Sequence, residues 1–144
     1  MLNSYEISVC KQQANLFSRI IELTGKDPKD FIEKFMVSKT AEYMDLEGDM
    51  TQWMMEAYLA EEFLKEGIDI KSYDGETQYD SDTLYWIGYL YRYWGFYRNP
   101  IKQSDIYKLA DFDFLYRAYP GLHVESLENV ILEIAKINLE KSNI

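Results

Sequence analysis

Cysteine, histidine and proline are scarce in this sequence, which has one, one and three of them among 144 residues. A single thiol, Cys10, excludes a disulfide within the chain and any cysteine-based metal site. The single histidine, His123, cannot build a histidine-rich metal site, and no Gly-x-Ser-x-Gly or Cys/His arrangement accompanies it. The sequence therefore indicates no catalytic residue, metal site or cofactor, and it favours a protein that is not an enzyme. We expect Cys10 to be a buried structural thiol and His123 to hydrogen-bond at the start of the last helix.

Long apolar runs, glycine-rich phosphate loops and internal repeats are also missing. The stretch after Met1 is interrupted by Glu6, Lys11 and Arg19, so it lacks the apolar core of a signal peptide. No segment approaches the ~20 apolar residues that a membrane-spanning helix needs. We expect a cytoplasmic protein that has no membrane partner.

Basic side chains are scarce in the middle third of the chain. Residues 38–83 hold three basic and thirteen acidic side chains, while the flanking regions are each balanced, so the whole net charge of −10 lies there. Phosphate binding needs a basic surface, so this distribution argues against a nucleic-acid partner. It favours a basic protein partner, although an acidic face that only keeps a protein in solution would have the same composition. The predicted partner-binding residues are the carboxylates Glu56, Glu62, Glu66, Asp69 and Asp74.

The stretch Tyr85–Tyr97 is rich in aromatic side chains, and its only charge is Arg92. It lacks proline and has few β-branched residues, which favours a helix, and its apolar character on nearly every side predicts burial. Asp80 or Ser81 is expected to cap its start, and Asn99-Pro100 to end it.

The rest of the chain divides into shorter amphipathic segments bounded by capping residues, glycine and proline. The predicted helices are Ser4–Thr24, Pro28–Ser38 after an Asp27 cap, Lys39–Leu46, a helix capped by Asp49 or Thr51 that ends at Glu66, Asp105–Ala110 after a Ser104 cap, a helix from Asp111 to Pro120-Gly121, and Val124–Lys141, after which the last residues fray. The fold class that follows is all-α: a compact single-domain orthogonal bundle, residues 1–144, of five to seven helices around the central aromatic helix.

Two glycines lie on the same face of that aromatic helix, because Gly88 and Gly95 are seven residues apart. A glycine in a helix interior costs about 1 kcal/mol relative to alanine, so the pair indicates close approach of a neighbouring backbone. In the helix that ends at Glu66, Trp53, Ala57 and Ala60 are expected to share one face, and the two alanines are small enough to meet the glycines.

Arg92 lies on the face of the two glycines, and the sequence leaves two interpretations of it open. A buried guanidinium needs a carboxylate partner, and the candidates for a structural ion pair are Glu56 and Glu61. The other interpretation is an anion pocket formed by Arg92, Tyr89 and Tyr93.

The segment Tyr119–Val130 carries the pattern Tyr-x-x-x-His-x-Glu-Ser-x-Glu-Asn. It resembles the C-terminal motif of a family of small bacterial proteins that are often encoded beside ADP-ribosyltransferase-like toxins. The aromatic run Tyr85–Trp94 is similar to longer relatives from Gram-positive gut bacteria. The resemblance implies a toxin-neutralising or toxin-associated role.

The sequence as a whole predicts an acidic, antitoxin-like protein-interaction module that neutralises or chaperones a basic partner protein, such as a toxin. The second interpretation is a small-molecule or nucleotide-binding protein, a class that includes enzymes, that uses the Arg92 pocket. The third is a homo-oligomer that associates through exposed tyrosines.

Overall fold

The computed structural model describes residues 1–142 and is helical with no strand over that range, which confirms the all-α part of the predicted fold class. Residues 143 and 144, where we expect fraying, lie outside the described residues. The described range contains no strand, and an isolated antiparallel bridge joins Lys26 to Ser72. Its nine α-helices exceed the five to seven predicted. In chain order the elements are α1 Ser4–Ser18, α2 Ile20–Thr24, α3 Pro28–Met36, α4 Lys39–Tyr43, a 3₁₀ helix Met50–Trp53, α5 Glu56–Leu64, α6 Ser81–Tyr97, α7 Gln103–Leu109, α8 Phe112–Leu122 and α9 Leu127–Ser142.

Aspartates start three of the helices at the predicted positions. Asp27, Asp80 and Asp111 precede α3, α6 and α8, and each carboxylate accepts a hydrogen bond from the backbone N–H three residues later. Each one satisfies a donor that the first helical turn leaves without a partner, and places a negative charge at the positive end of the helix dipole. Helix α6 ends at Tyr97, just before Asn99-Pro100, as the sequence predicts.

The helix predicted over Ser4–Thr24 is interrupted at Arg19. The N–H of Arg19 donates to the carbonyl oxygen of Leu16 at 3.1 Å, which is a tighter turn than the α-helical one. Helix α2 then resumes at Ile20 and ends at Gly25, whose positive φ of 69° lets the chain leave the helix.

The helix predicted to end at Glu66 is instead a 3₁₀ helix followed by α5. The carboxylate of Asp49 accepts hydrogen bonds from the N–H and the hydroxyl of Thr51, at 3.0 and 2.8 Å, and holds the tight turn. Two extended residues separate this turn from α5 and break the helical register. Trp53 is therefore exposed while Ala60 is buried, so the face that these two residues were expected to share does not exist.

Three boundaries in the C-terminal part also differ from the prediction. Helix α7 has Lys102 at its N-cap position and no side-chain cap from Ser104. Helix α8 continues through Pro120 for two more residues. Helix α9 begins three residues later than predicted, because the hydroxyl of Ser126 accepts a hydrogen bond from the N–H of Asn129 at 3.2 Å.

Helix α6 packs closely on α1 and also contacts α7, α8 and α9. The closest approach is at Gly88, where a Cβ would lie 2.9 Å from the Cα of Ala14. A Cβ at Gly95 would lie 2.8 Å from Nε2 of Gln103. The small face of α6 does admit a neighbouring backbone, but that backbone belongs to α1 and not to the alanines of α5.

A cluster of phenylalanines joins the N-terminal helices. Phe17 of α1, Phe35 of α3 and Phe63 of α5 are fully buried, and their rings meet edge to face at centroid distances of 5.6 and 5.3 Å. Such pairs add to the burial of apolar surface, which is the main stabilising contribution to the fold. Over residues 1–142, no helix combines the length and the apolar character needed to cross a membrane.

Candidate functional site

Arg92 of α6 is fully buried, and its guanidinium is the centre of a polar network. Its Nε and one terminal nitrogen donate to the side-chain oxygen of Gln13 at 3.1 and 2.8 Å. That same terminal nitrogen also donates to the carbonyl oxygen of Ala41 at 3.3 Å. The other terminal nitrogen donates to Oδ1 of Asp45 at 2.5 Å. All three guanidinium nitrogens are therefore engaged within the protein, as a buried cation requires.

The carboxylate that pairs with Arg92 is Asp45, and the predicted candidates Glu56 and Glu61 are wrong. Glu56 instead accepts a hydrogen bond from Arg19 at 2.5 Å, and Glu61 is exposed at the surface. Asp45 follows the C-terminal end of α4, which packs on α5 and brings the carboxylate over α6. Burial raises the pKa of Asp45, and the charge of Arg92 opposes that shift.

The other members of the predicted anion pocket lie along a tyrosine ladder on α6. Tyr85, Tyr89, Tyr93 and Tyr97 are spaced by four residues, and successive rings stack at centroid distances of 6.0–6.4 Å. The hydroxyl of Tyr93 donates to Glu128 of α9. The guanidinium of Arg92 faces α1 and α4, so the structure does not bring it together with the hydroxyl of Tyr93.

Two of the five predicted partner-binding carboxylates are held by contacts with distant parts of the chain. Glu66 accepts hydrogen bonds from the N–H groups of Lys39 and Thr40 at 3.1 and 2.9 Å, and from the Thr40 hydroxyl at 2.5 Å. It therefore caps the N-terminus of α4 from a distant part of the sequence. The side chain of Glu56 is only 16% exposed and is held by Arg19.

The remaining three, Glu62, Asp69 and Asp74, face solvent to a larger extent. Glu62 lies 3.6 Å from Lys65, and Asp74 lies 3.9 Å from Lys71. The carboxylate of Asp74 also accepts a hydrogen bond from the N–H of Glu76 at 2.9 Å. Exposed pairs of this kind contribute little to stability, so a partner could replace them at little cost.

The segment next to these carboxylates combines acidic charge with exposed apolar side chains. Residues 40–64 contain seven acidic residues and no basic one. Six large apolar side chains of this segment are between 46% and 74% exposed: Tyr43, Leu46, Met50, Trp53, Met55 and Tyr58. We refer to them, with the acidic residues among them, as the 42–58 surface. Sequence reasoning found the charge but placed Trp53 on one face with Ala57 and Ala60, because it took the stretch that ends at Glu66 for one regular helix.

Three cavities border the same segment. The first, of about 350 Å³, lies between the end of α4 and the α6–α7 connection, and we call it the Asp45 cavity. The second, of about 200 Å³, shares Asp45, Phe96 and Asn99 with it. The third, of about 260 Å³, is lined by α1, the 3₁₀ helix and the start of α5. Sequence reasoning missed the cavities because each is built from segments that are distant along the chain.

The surroundings of Cys10 and His123 indicate that both residues have a structural role. Cys10 is fully buried in α1, as predicted, and burial raises its pKa to about 12. The ring of His123 stacks on Tyr119 at 4.3 Å, and its Nδ1 lies 2.7 Å from the Tyr119 carbonyl oxygen. This contact is at the end of α8, so the predicted position at the start of the last helix is wrong. Among the described residues, no three His, Cys, Asp or Glu side chains are arranged to hold a metal ion.

Comparison of the chain with known protein families, curated proteins and solved structures found no match.

Proposed function

We propose that this chain is an acidic, antitoxin-like protein-interaction module that covers a basic partner protein and thereby neutralises or chaperones it. The observation that supports the proposal is the 42–58 surface. Its six exposed apolar side chains lie within residues 40–64, a segment that lacks any basic residue. These side chains follow one another along the chain, and exposed apolar side chains that adjoin mark interaction sites. Tryptophan and tyrosine are over-represented among the residues that dominate binding energy.

The chemistry of this surface indicates the chemistry of its partner. Trp53 and Tyr58 offer large apolar contact areas, while seven carboxylates in residues 40–64 create a negative field. Such a field accelerates association with a basic protein and repels acidic ones. The proposed contact area extends from the 42–58 surface to Glu62, Asp69 and Asp74. The proposed roles of Glu56 and Glu66 are indirect, since they hold α1 and α4 against α5 and its C-terminal end.

The biological setting and the finer architecture belong to the same proposal. We also propose that the protein is bacterial and cytoplasmic. The motif at Tyr119–Val130 supports its association with a toxin, which would be the basic partner. The contacts of α6 with α1, α7, α8 and α9 support an orthogonal bundle arranged around the aromatic helix.

The small-molecule or nucleotide-binding alternative gains no support from Arg92. An anion needs free donors, and each nitrogen of this guanidinium already donates to Gln13, Ala41 or Asp45. We therefore do not propose an anion pocket formed by Arg92, Tyr89 and Tyr93.

The experiment that tests the proposal compares two double variants in binding to a partner captured from the native lysate. The first, Met50→Ser with Tyr58→Ser, removes apolar groups from the 42–58 surface. The matched control, Val124→Ser with Leu132→Ser, removes two other exposed apolar side chains, from the C-terminal part. We expect at least a tenfold weaker affinity for the first variant only, measured by biolayer interferometry. The unmodified protein should associate with the partner faster at low salt than at high salt.

Equal affinities for the two variants would contradict the proposal, as would a captured partner that is acidic. Light scattering of the purified chain provides a further check. A stable homodimer that the first variant dissociates would show that a second copy, and not a basic protein, covers this surface.

A further inference from the structure

The Asp45 cavity has apolar walls and a charged rim. Its walls are formed by two aromatic rings and three aliphatic side chains from α4, α6 and the α6–α7 connection: Tyr43, Phe96, Leu46, Pro100 and Ile101. Its charged lining residues are Glu42, Asp45 and Lys102. A cavity of about 350 Å³ is at the small end of ligand sites, which suits one long side chain better than a cofactor.

Asp45 forms the link between this cavity and the core. Oδ1 accepts the hydrogen bond from Arg92, whereas Oδ2 accepts none within residues 1–142. The side chain of Asp45 is 29% exposed. A half-buried carboxylate with one oxygen unused, at the edge of an apolar cavity, is suited to a donor that arrives with an apolar stem.

The charges around the cavity favour a cation. Glu42 and Asp45 oppose Lys102 in the lining, and the adjoining cavity adds Glu6 and Glu47. The buried guanidinium of Arg92 neutralises part of the charge of Asp45, and over the two adjoining cavities four acidic residues still outnumber Lys102 and Arg92. An anionic ligand would face this excess of negative charge at close range.

We propose that the Asp45 cavity binds one arginine side chain of the basic partner. The inference rests on the proposed function and names the anchor through which the partner is recognised. The aliphatic stem packs between Leu46 and Ile101. The planar guanidinium lies against the ring of Phe96 and donates to Asp45 and Glu42. Arginine suits this arrangement better than lysine because its flat, forked head group both stacks on rings and donates to carboxylates in pairs.

The first test uses a small probe and needs no knowledge of the partner. The full-length protein is titrated with N-acetyl-L-arginine methylamide and, in parallel, with the corresponding citrulline derivative, which has the same shape and no charge. We expect millimolar binding of the arginine derivative only. The accompanying NMR shifts should be confined to backbone amides of residues 42–46 and 95–102.

Variants that change the charge of exposed lining residues test whether the cavity attracts a cation. Glu42→Gln should weaken binding of the arginine derivative several-fold, and Lys102→Glu should strengthen it several-fold. Neither residue forms an ion pair within the described chain, so both variants are expected to fold. Equal binding of the arginine and citrulline derivatives, or weaker binding to Lys102→Glu, would overturn the inference.

A cavity-filling variant separates this inference from the proposed function. Ile101→Trp places a larger side chain on the wall of the Asp45 cavity and leaves the apolar residues 50–58 unchanged. We expect it to weaken partner binding at least tenfold. If Ile101→Trp binds the partner normally while Met50→Ser with Tyr58→Ser does not, the interaction surface stands and the arginine anchor is wrong.

Discussion

The guanidinium of Arg92 lies 2.5 Å from the carboxylate of Asp45, and the two residues differ greatly in their access to solvent. Arg92 is fully buried, whereas 29% of the Asp45 side chain is exposed. Removal of Asp45 therefore leaves the guanidinium of Arg92 as an unpaired charge in the core, while removal of Arg92 leaves a carboxylate that water still reaches. The pair connects the interior of the protein to a cavity on its surface.

We expect Asp45→Ala to be strongly destabilising, by about 3–5 kcal/mol, because it leaves a buried charge without its partner. Arg92→Met should destabilise less than Asp45→Ala because it removes the buried charge itself, although it also leaves the side-chain oxygen of Gln13 without the donor of its hydrogen bonds. The double variant should lose less than the sum of the two single losses. Urea unfolding followed by circular dichroism measures all three values. Additive losses would show that the two side chains are not coupled.

Gly88→Ala should destabilise the protein although alanine is the better helix former. The new Cβ would lie 2.9 Å from both the Cα of Ala14 and the carbonyl oxygen of Gln13. Overpacking against a backbone costs about 1–3 kcal/mol or more, which exceeds the gain of about 1 kcal/mol in helix propensity. The matched control is Gly121→Ala in α8, where the new Cβ would meet no atom within 4 Å other than its neighbours in the helix backbone. The control should be neutral or stabilising, and equal effects in thermal unfolding would contradict the close packing of α1 on α6.

Cys10 should be inert in the native protein. The side chain is fully buried, and burial raises its pKa to about 12, so thiolate is scarce at pH 8. Reaction with a disulfide reagent such as Ellman's reagent should proceed only as fast as the protein opens, and should become immediate in denaturant. Rapid modification of the folded protein at pH 8 would show that the thiol is exposed.

Reversal of charge at Glu66 and at Glu62 should have different consequences. Glu66→Lys removes three hydrogen bonds at the N-terminus of α4 and places a cation at the positive end of that helix, with an expected loss of about 1.5–3 kcal/mol. Glu62→Lys changes the net charge by the same amount at an exposed site, where the expected change is within about 0.5 kcal/mol. Denaturant unfolding compares the two. Equal losses would show that Glu66 does not cap α4. Either position could then be used to test how charge affects partner binding.

The Asp80 cap of α6 should make stability depend on pH. Hydrogen bonds from the hydroxyl and then the N–H of Thr83 hold the pKa of Asp80 below its ordinary value. Because the folded-state pKa is depressed, the charged carboxylate stabilises the protein above the ordinary aspartate pKa, and this contribution is lost as pH falls through the folded-state pKa. Asp80→Asn retains a capping oxygen without the charge. The stability difference between wild type and variant should be largest at pH 7 and shrink towards pH 3. A constant difference would contradict a role for the charge.

The features that sequence predicts well here are those decided by neighbours in the chain. The caps at Asp27, Asp80 and Asp111 depend on a side chain and a backbone N–H three residues away. The burial of the aromatic helix follows from its composition, and the need of Arg92 for a carboxylate follows from that burial.

The features that sequence misses depend on how the segments pack. Asp45 is 47 residues from Arg92, and no local rule prefers it to Glu56. The exposure of Trp53 depends on the tight turn that Asp49 forms, because this turn moves Trp53 off the helical register. The cavities need the positions of α4 and the α6–α7 connection together, which only tertiary structure provides.

The packing of α1 on α6 also determines when the protein can form its core as the chain is synthesised. The side chain of Gln13 donates to the carbonyl oxygen of Gly88, 75 residues further along, at 3.0 Å. A ribosome must therefore complete five helices before the one that covers α1 emerges. Until then the buried side of α1, including Phe17, has no α6 to pack on. We therefore expect the first 80 residues alone to leave this side of α1 uncovered, and a nascent chain of that length to be open to chaperone binding.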